Sequence, residues 1–147
     1  MKKEDVLKVH IKDLEDLYNF AKEFSKCLKG NELILLYGDL SAGKTTFTKA
    51  LVSSIYKSLE NEVNSPTFTV MNVYETPKFP IYHIDLYRVK EFDISDIVGN
   101  GLIIVEWANF QDFSGYDTPK IEIKIELKND RRIFYINGNN IEKCLKS

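Results

Sequence analysis

Several things are scarce in this sequence, and each scarcity removes a class of protein. Two cysteines, Cys27 and Cys144, are too few for a disulfide framework and lack the spacing of a metal site. They read as free thiols in a reducing cytoplasm, where the chain is expected to work. No apolar run reaches the ~18 residues of a membrane span, so no membrane contact is expected. The first residues, Met1-Lys2-Lys3-Glu4-Asp5, lead into charged sequence and not into the apolar centre of a signal peptide. An excess of one charge is also missing, since 20 Lys+Arg face 22 Asp+Glu for a net charge of −2. So balanced a chain is no general binder of DNA or RNA, and an RNA partner would need a local patch. Internal repeats and low-complexity stretches are absent. What remains is 147 residues, 44% hydrophobic and 29% charged, which suits one domain over residues 1–147.

The hydrophobic pattern assigns that domain to the α/β class. Val6 to Ile11 reads as a short strand. Asp13 then caps a helix whose Leu17, Phe20, Ala21, Phe24 and Leu28 recur at helical spacing, and Gly30 is placed to stop it. Leu33 to Tyr37 is apolar throughout, the mark of a strand buried on both faces in a parallel sheet. A second helix is expected from Lys44 to Leu59. Phe68 to Tyr74 and Ile81 to Tyr87 read as a hairpin, with His83, Asp85 and Tyr87 on one face of its second strand. Asp93 to Val98 reads as one helical turn. Leu102 to Val105 is a second fully apolar strand, ending at Glu106-Trp107. Lys120 to Leu127 alternates strictly, as an antiparallel edge with one wet face does. Asn129-Asp130-Arg131 turns it into Ile133 to Ile136, and a short helix closes the chain. The sum is a core sheet, mostly parallel, with antiparallel hairpin additions and flanking helices.

Gly38-Asp39-Leu40-Ser41-Ala42-Gly43-Lys44-Thr45 fits G-x-x-x-x-G-K-(S/T), the Walker A loop. A chance match in a chain this long has odds on the order of 0.5% from average residue frequencies. The context adds specificity, because a buried strand precedes the loop and a helix follows it. Loop amides and the helix N-terminus cradle phosphate. The glycines permit backbone angles and close approaches that a Cβ blocks. Lys44 reaches the β- and γ-phosphates, Thr45 offers its hydroxyl to Mg²⁺, and Thr46 continues the phosphate-facing turn. ATP and Mg²⁺ are the ligands this implies. No N-K-x-D motif is present to select guanine.

Such a loop needs a carboxylate at the end of a neighbouring buried strand, and two candidates exist. Glu106 ends the run from Leu102. Asp85 lies within Tyr82-His83-Ile84-Asp85-Leu86-Tyr87-Arg88, where a carboxylate is costly unless paired or metal-bound. Either Glu106 or Asp85 orients the attacking water. Ser65-Pro66-Thr67-Phe68 lies where switch-type enzymes carry a Thr that senses the γ-phosphate. Trp107 either packs over the nucleotide or fills core. His83 is either a proton-transfer group or structural.

Together, Leu36 to Phe47, Ser65 to Val70, Tyr82 to Arg88 and Val105-Glu106-Trp107 resemble TsaE (also called YjeE), the bacterial ATPase family of tRNA threonylcarbamoyladenosine biosynthesis. The resemblance covers most of the chain, with four motifs in order. It implies a small P-loop ATPase working with TsaD and TsaB, which modify an adenosine beside the tRNA anticodon. ATP hydrolysis would reset their complex, and tRNA would be met only indirectly. It implies Lys44 on the phosphates, Thr45 and Glu106 around Mg²⁺, Asp85 near the reacting centre, Thr67 in a switch-like segment and Trp107 near the nucleotide. The family's usual Gly is Ser41 here, and Leu17 and Ala21 stand where relatives carry adenine-facing residues.

Arginine is scarce as well: Arg88, Arg131 and Arg132 are all there are, and none is an obvious finger. Basal turnover is therefore expected to be slow, with a partner completing the site. The rival readings are an ATP-gated scaffold that does not hydrolyse and a small-molecule P-loop kinase.

Overall fold

Alternation along the central strands fixes the layers. The structure, a computed structural model, describes residues 6–66 and 69–146. Its elements are β1 (Leu7–Ile11), α1 (Leu14–Lys26), β2 (Leu33–Tyr37), α2 (Lys44–Ile55), β3 (Met71–Tyr74), β4 (Ile81–Asp85), β5 (Leu102–Glu106), β6 (Lys120–Lys128), β7 (Arg131–Asn137) and α3 (Ile141–Lys146). They build one seven-stranded sheet in the order β1-β7-β6-β2-β5-β4-β3. β6, β2, β5 and β4 run parallel, while β3, β7 and β1 each pair antiparallel with their neighbours. The expected class, a parallel core with antiparallel additions, is what forms.

Ile34 and Leu36 point to one face and Leu33 and Leu35 to the other, as period-two geometry requires. The first face is covered by the helices. There Phe20 and Phe24 of α1, Phe47 of α2 and Phe134 of β7 meet at ring-centroid distances of 5.4–6.1 Å. The second face is covered in part by irregular chain that brings in Ile94, Ala108 and Phe113. Parallel order places the C-terminal ends of β2, β4 and β5 side by side, the edge where open α/β sheets bind ligands.

Four details differ from the sequence reading, each for a local reason. α1 begins as expected, with Asp13 accepting from the Asp16 amide at 2.9 Å, but it ends at Lys26. Gly30 lies beyond that end with φ 104°, and a Cβ there would fall 2.3 Å from the Phe79 ring. Gly30 thus serves a close approach and not the helix stop. α2 ends at Ile55, because Tyr56 turns extended and a 3₁₀ segment, Lys57–Glu62, folds back. Glu60 ties that segment to the helix by accepting from Ser53 Oγ at 3.0 Å, and Leu59 reaches the core from there. β6 is not an edge: it lies between β7 and β2. Its alternation arises because helices cover only one face, burying Ile121, Ile123 and Ile125 while Lys124 and Glu126 stay exposed. The turn that follows is a two-residue hairpin in which Asn129 (φ 52°) and Asp130 (φ 63°) take the paired positive φ angles of a type I′ turn.

The fourth difference is a correction. Cys27 and Cys144 are not free thiols but a disulfide closing 117 residues of sequence. Cys27 ends α1, and Cys144 lies in α3, which packs on β7. Because β7 touches α1 through Phe134 and Phe20, the two helix ends meet. Sequence distance hides that proximity. Chain-entropy reasoning gives roughly 4–5 kcal/mol for so long a loop. α3 is short and can detach alone, so the full amount is not expected. Replacing both cysteines by serine should lower the unfolding free energy by ~1–3 kcal/mol. Urea unfolding of the wild type with and without reductant should show the same shift.

Candidate active site

The β2–α2 loop is shaped by two glycines. Gly43 caps α2 with φ 105°, and a Cβ there would fall 2.8 Å from Arg132 Nε. A Cβ on Gly38 would fall 2.8 Å from the carbonyl oxygen of Ile125 in β6. Between them the Ala42 amide bonds the Asp39 carbonyl at 3.0 Å, which folds the loop into a cup. Ser41 is not among the residues with positive φ, so its side chain adds no backbone strain.

Lys44 curls back over its own loop. Its Nζ donates to the carbonyls of Gly38 at 2.5 Å and Asp39 at 2.8 Å, and lies 3.9 Å from the centre of the Trp107 ring. Burial pushes its pKa below the ordinary 10.5, against the opposing pull of Glu106, Asp85 and Asp39. Trp107 reaches this position because its backbone reverses at the end of β5, with φ 60° and ψ 43°. That left-handed geometry costs a non-glycine residue about 1–2 kcal/mol. Tyr87 and Phe110 hold the indole at 4.8 and 5.9 Å.

Glu106 ends β5 and is only 3% exposed. Thr45, in the first turn of α2, shares its hydroxyl hydrogen between Glu106 Oε1 at 2.8 Å and Oε2 at 2.9 Å. His83 Nε2 lies 2.6 Å from Glu106 Oε2, and its Nδ1 lies 3.0 Å from the Tyr74 hydroxyl. Asp85 ends β4 directly beside Glu106 in the sheet register. It accepts from Ser65 Oγ at 2.7 Å and from the Tyr87 amide at 2.9 Å.

These groups surround a cavity of about 630 Å³, lined by Leu40, Ser41, Gly43, Lys44, Thr45, Thr46, Asp85, Glu106 and Trp107 among others. An adjoining cavity touches Gly38, Asp39 and Ala42. All the expected site residues therefore gather at one place except Thr67, which lies outside the described residues. Leu17 and Ala21 do not: both are buried in the core beneath α1.

Sequence reasoning missed the arginines. Arg88 and Arg132 line the cavity. Arg132, from the start of β7, donates from Nε to the Ala42 carbonyl at 2.7 Å and from Nη2 to the Ser41 carbonyl at 3.4 Å. The signal lay in the tight Asn129-Asp130 turn, which delivers Arg132 to the loop, but nothing in the sequence aligns that hairpin with residues 38–45.

The residues fit Mg²⁺ with a polyphosphate. At Gly38 and Gly43 the neighbouring Ile125 carbonyl and Arg132 leave no room for a side chain, and Thr45 and Glu106 are hard oxygen donors. Among the described residues no group of three or more His, Cys, Asp or Glu gathers to hold a metal by itself.

Residues 11–134 match the family model described as "Threonylcarbamoyl adenosine biosynthesis protein TsaE". The chain is 47% identical over 120 residues to the tRNA threonylcarbamoyladenosine biosynthesis protein TsaE of Aquifex aeolicus, covering 82% of this chain and 90% of that protein. It is 34% identical over 136 residues to the protein of the same name from Bacillus subtilis, covering 87% and 84%. The fold is similar to the crystal structure of Bacillus subtilis YdiB, with a TM-score of 0.75 and 27% identity over 96% of this chain and 92% of that one.

Two predictions follow from the position of Lys44. Trp107 is the sole tryptophan, so its emission reports on the ammonium above it. Filling the loop with a nucleoside triphosphate should draw Nζ off the ring and shift the emission, and Lys44→Ala should abolish the response. An anion in the loop should also raise the depressed Lys44 pKa. Binding in alkaline solution, below pH 10.5, should then take up protons, read by calorimetry in buffers of different ionisation enthalpy.

Proposed function

The chain belongs to the TsaE family of tRNA threonylcarbamoyladenosine biosynthesis proteins, and on that footing we propose that it binds ATP with Mg²⁺ and hydrolyses it. The observation that carries this reading is the contact between Thr45 and Glu106, a hydroxyl and a carboxylate held together beside a phosphate cradle. Lys44 leaves the Gly38 and Asp39 carbonyls for the β- and γ-phosphates. Loop amides and the N-terminus of α2 take the remaining phosphate oxygens. Thr45 and Glu106 would hold Mg²⁺, which would supply positive charge to neutralise the phosphates.

Asp85 is the group left to orient water. Glu106 is engaged by Thr45 and His83, whereas Asp85 lines the cavity and accepts there from Ser65 Oγ and the Tyr87 amide. Water attacks the γ-phosphorus in line, the bond to the β-phosphate oxygen breaks, and ADP, phosphate and a proton leave. Arg132 steadies the loop through the Ala42 carbonyl and lies at the cavity wall. Turnover by the isolated chain is slow, and proteins of the TsaD and TsaB kind complete the site. Hydrolysis resets their complex between rounds of tRNA modification, with tRNA met through the complex.

Asp85→Asn should reduce phosphate release by ~10²-fold or more while nucleotide affinity stays within a few-fold. Phosphate release measured with and without TsaD and TsaB checks the partner step. Acceleration on adding them supports the reading. Nucleotide binding with no release under either condition would favour a scaffold gated by ATP, and phosphate appearing on an added acceptor would favour a kinase.

A further inference from the structure

Among the groups around the cavity, His83 is the one whose chemistry the ATPase reading leaves unused. It is fully buried in the middle of β4, where an apolar residue would pack with less penalty. Both ring nitrogens are engaged, by Tyr74 on β3 and by Glu106 on β5. Tyr74 is itself 6% exposed, and burial raises its hydroxyl pKa, so it keeps its proton and can donate. The alternative acceptor for that hydroxyl, the Asn64 carbonyl, lies farther off at 3.4 Å. A Tyr74 hydroxyl that donates to Nδ1 leaves the ring proton on Nε2, where it points at Glu106 Oε2.

We propose that His83 is a positioning residue for magnesium binding: fixed by Tyr74, it holds the Glu106 carboxylate in the orientation that faces Thr45. The chain of contacts Tyr74–His83–Glu106–Thr45 crosses three adjacent strands and ends on the first turn of α2. A carboxylate held only by the Thr45 hydroxyl would lose a partner whenever that hydroxyl turned to a metal. The His83 bond persists through that exchange and keeps Glu106 from rotating away. Groups that hydrogen-bond a metal-binding carboxylate from behind orient it in this way, and losing such a partner costs roughly 10–100-fold in metal affinity. The proposal rests on the reading of Thr45 and Glu106 as the magnesium pair.

The test is the Mg²⁺ concentration needed for tight ATP binding, followed by calorimetry. Wild type, His83→Leu, His83→Gln and Tyr74→Phe are compared, with ATP affinity in excess chelator and thermal unfolding measured alongside. His83→Leu should raise the magnesium midpoint by about 10–100-fold and change metal-free ATP affinity by less than about two-fold. His83→Gln, whose amide N–H can reach the same oxygen, should recover most of the loss. Tyr74→Phe should raise the midpoint by a smaller factor. A folded His83→Leu with the wild-type midpoint overturns the proposal, as does an equal loss of metal-free affinity, which a structural role would give. If His83→Leu does not fold, Tyr74→Phe decides, and a wild-type midpoint there overturns it. Wild type binding ATP with no dependence on magnesium would instead overturn the metal reading beneath it.

Discussion

The site depends on one contact, between Thr45 at the start of α2 and Glu106 at the end of β5. It joins the loop that can grip phosphate to the strand that supplies the acid. Everything around it serves to keep those two ends in register. β2 and β5 are parallel neighbours, so the loop leaving β2 and the carboxylate ending β5 emerge at the same edge. Leu35 and Val105 are paired in that register, and a slip by one residue would turn Glu106 to the other face. Asp85 joins them because β4 extends the parallel set by one strand.

The electrostatics of the resting site follow from the same geometry. Three acidic groups, Glu106, Asp85 and Asp39, act on Lys44, yet burial outweighs them and its proton is held less firmly than on an exposed lysine. The ammonium is stabilised by two loop carbonyls and the indole face, all neutral partners. Such a group is primed for an anion, whose charge repays more than the contacts surrendered. Glu106 is in the mirror situation, a buried acid satisfied by hydroxyl and imidazole, which suits it to a cation.

Legibility in the sequence tracked the range of the cause. The loop, the buried strands and Glu106 were readable because they are local: a glycine pattern, two apolar runs and an acid where one run stops. Asp85 and Trp107 were readable as candidates, and the fold resolved what each one touches. The Arg132 contact, the Cys27–Cys144 bond and the interior position of β6 were not readable. Each depends on how the C-terminal hairpin is threaded beside β2, and no local pattern encodes that pairing. His83 stood open between two roles because a buried histidine is defined by its partners, and these come from β3 and β5.

The central claim is tested most directly by a crystal structure with a non-hydrolysable ATP analogue and Mn²⁺, using the anomalous signal of the metal. The account predicts a single manganese peak against Thr45 Oγ1 and Glu106, with Lys44 Nζ moved from the Trp107 ring to the phosphates. A peak at Asp85 alone, or a nucleotide bound elsewhere while Lys44 stays on the indole, would contradict it.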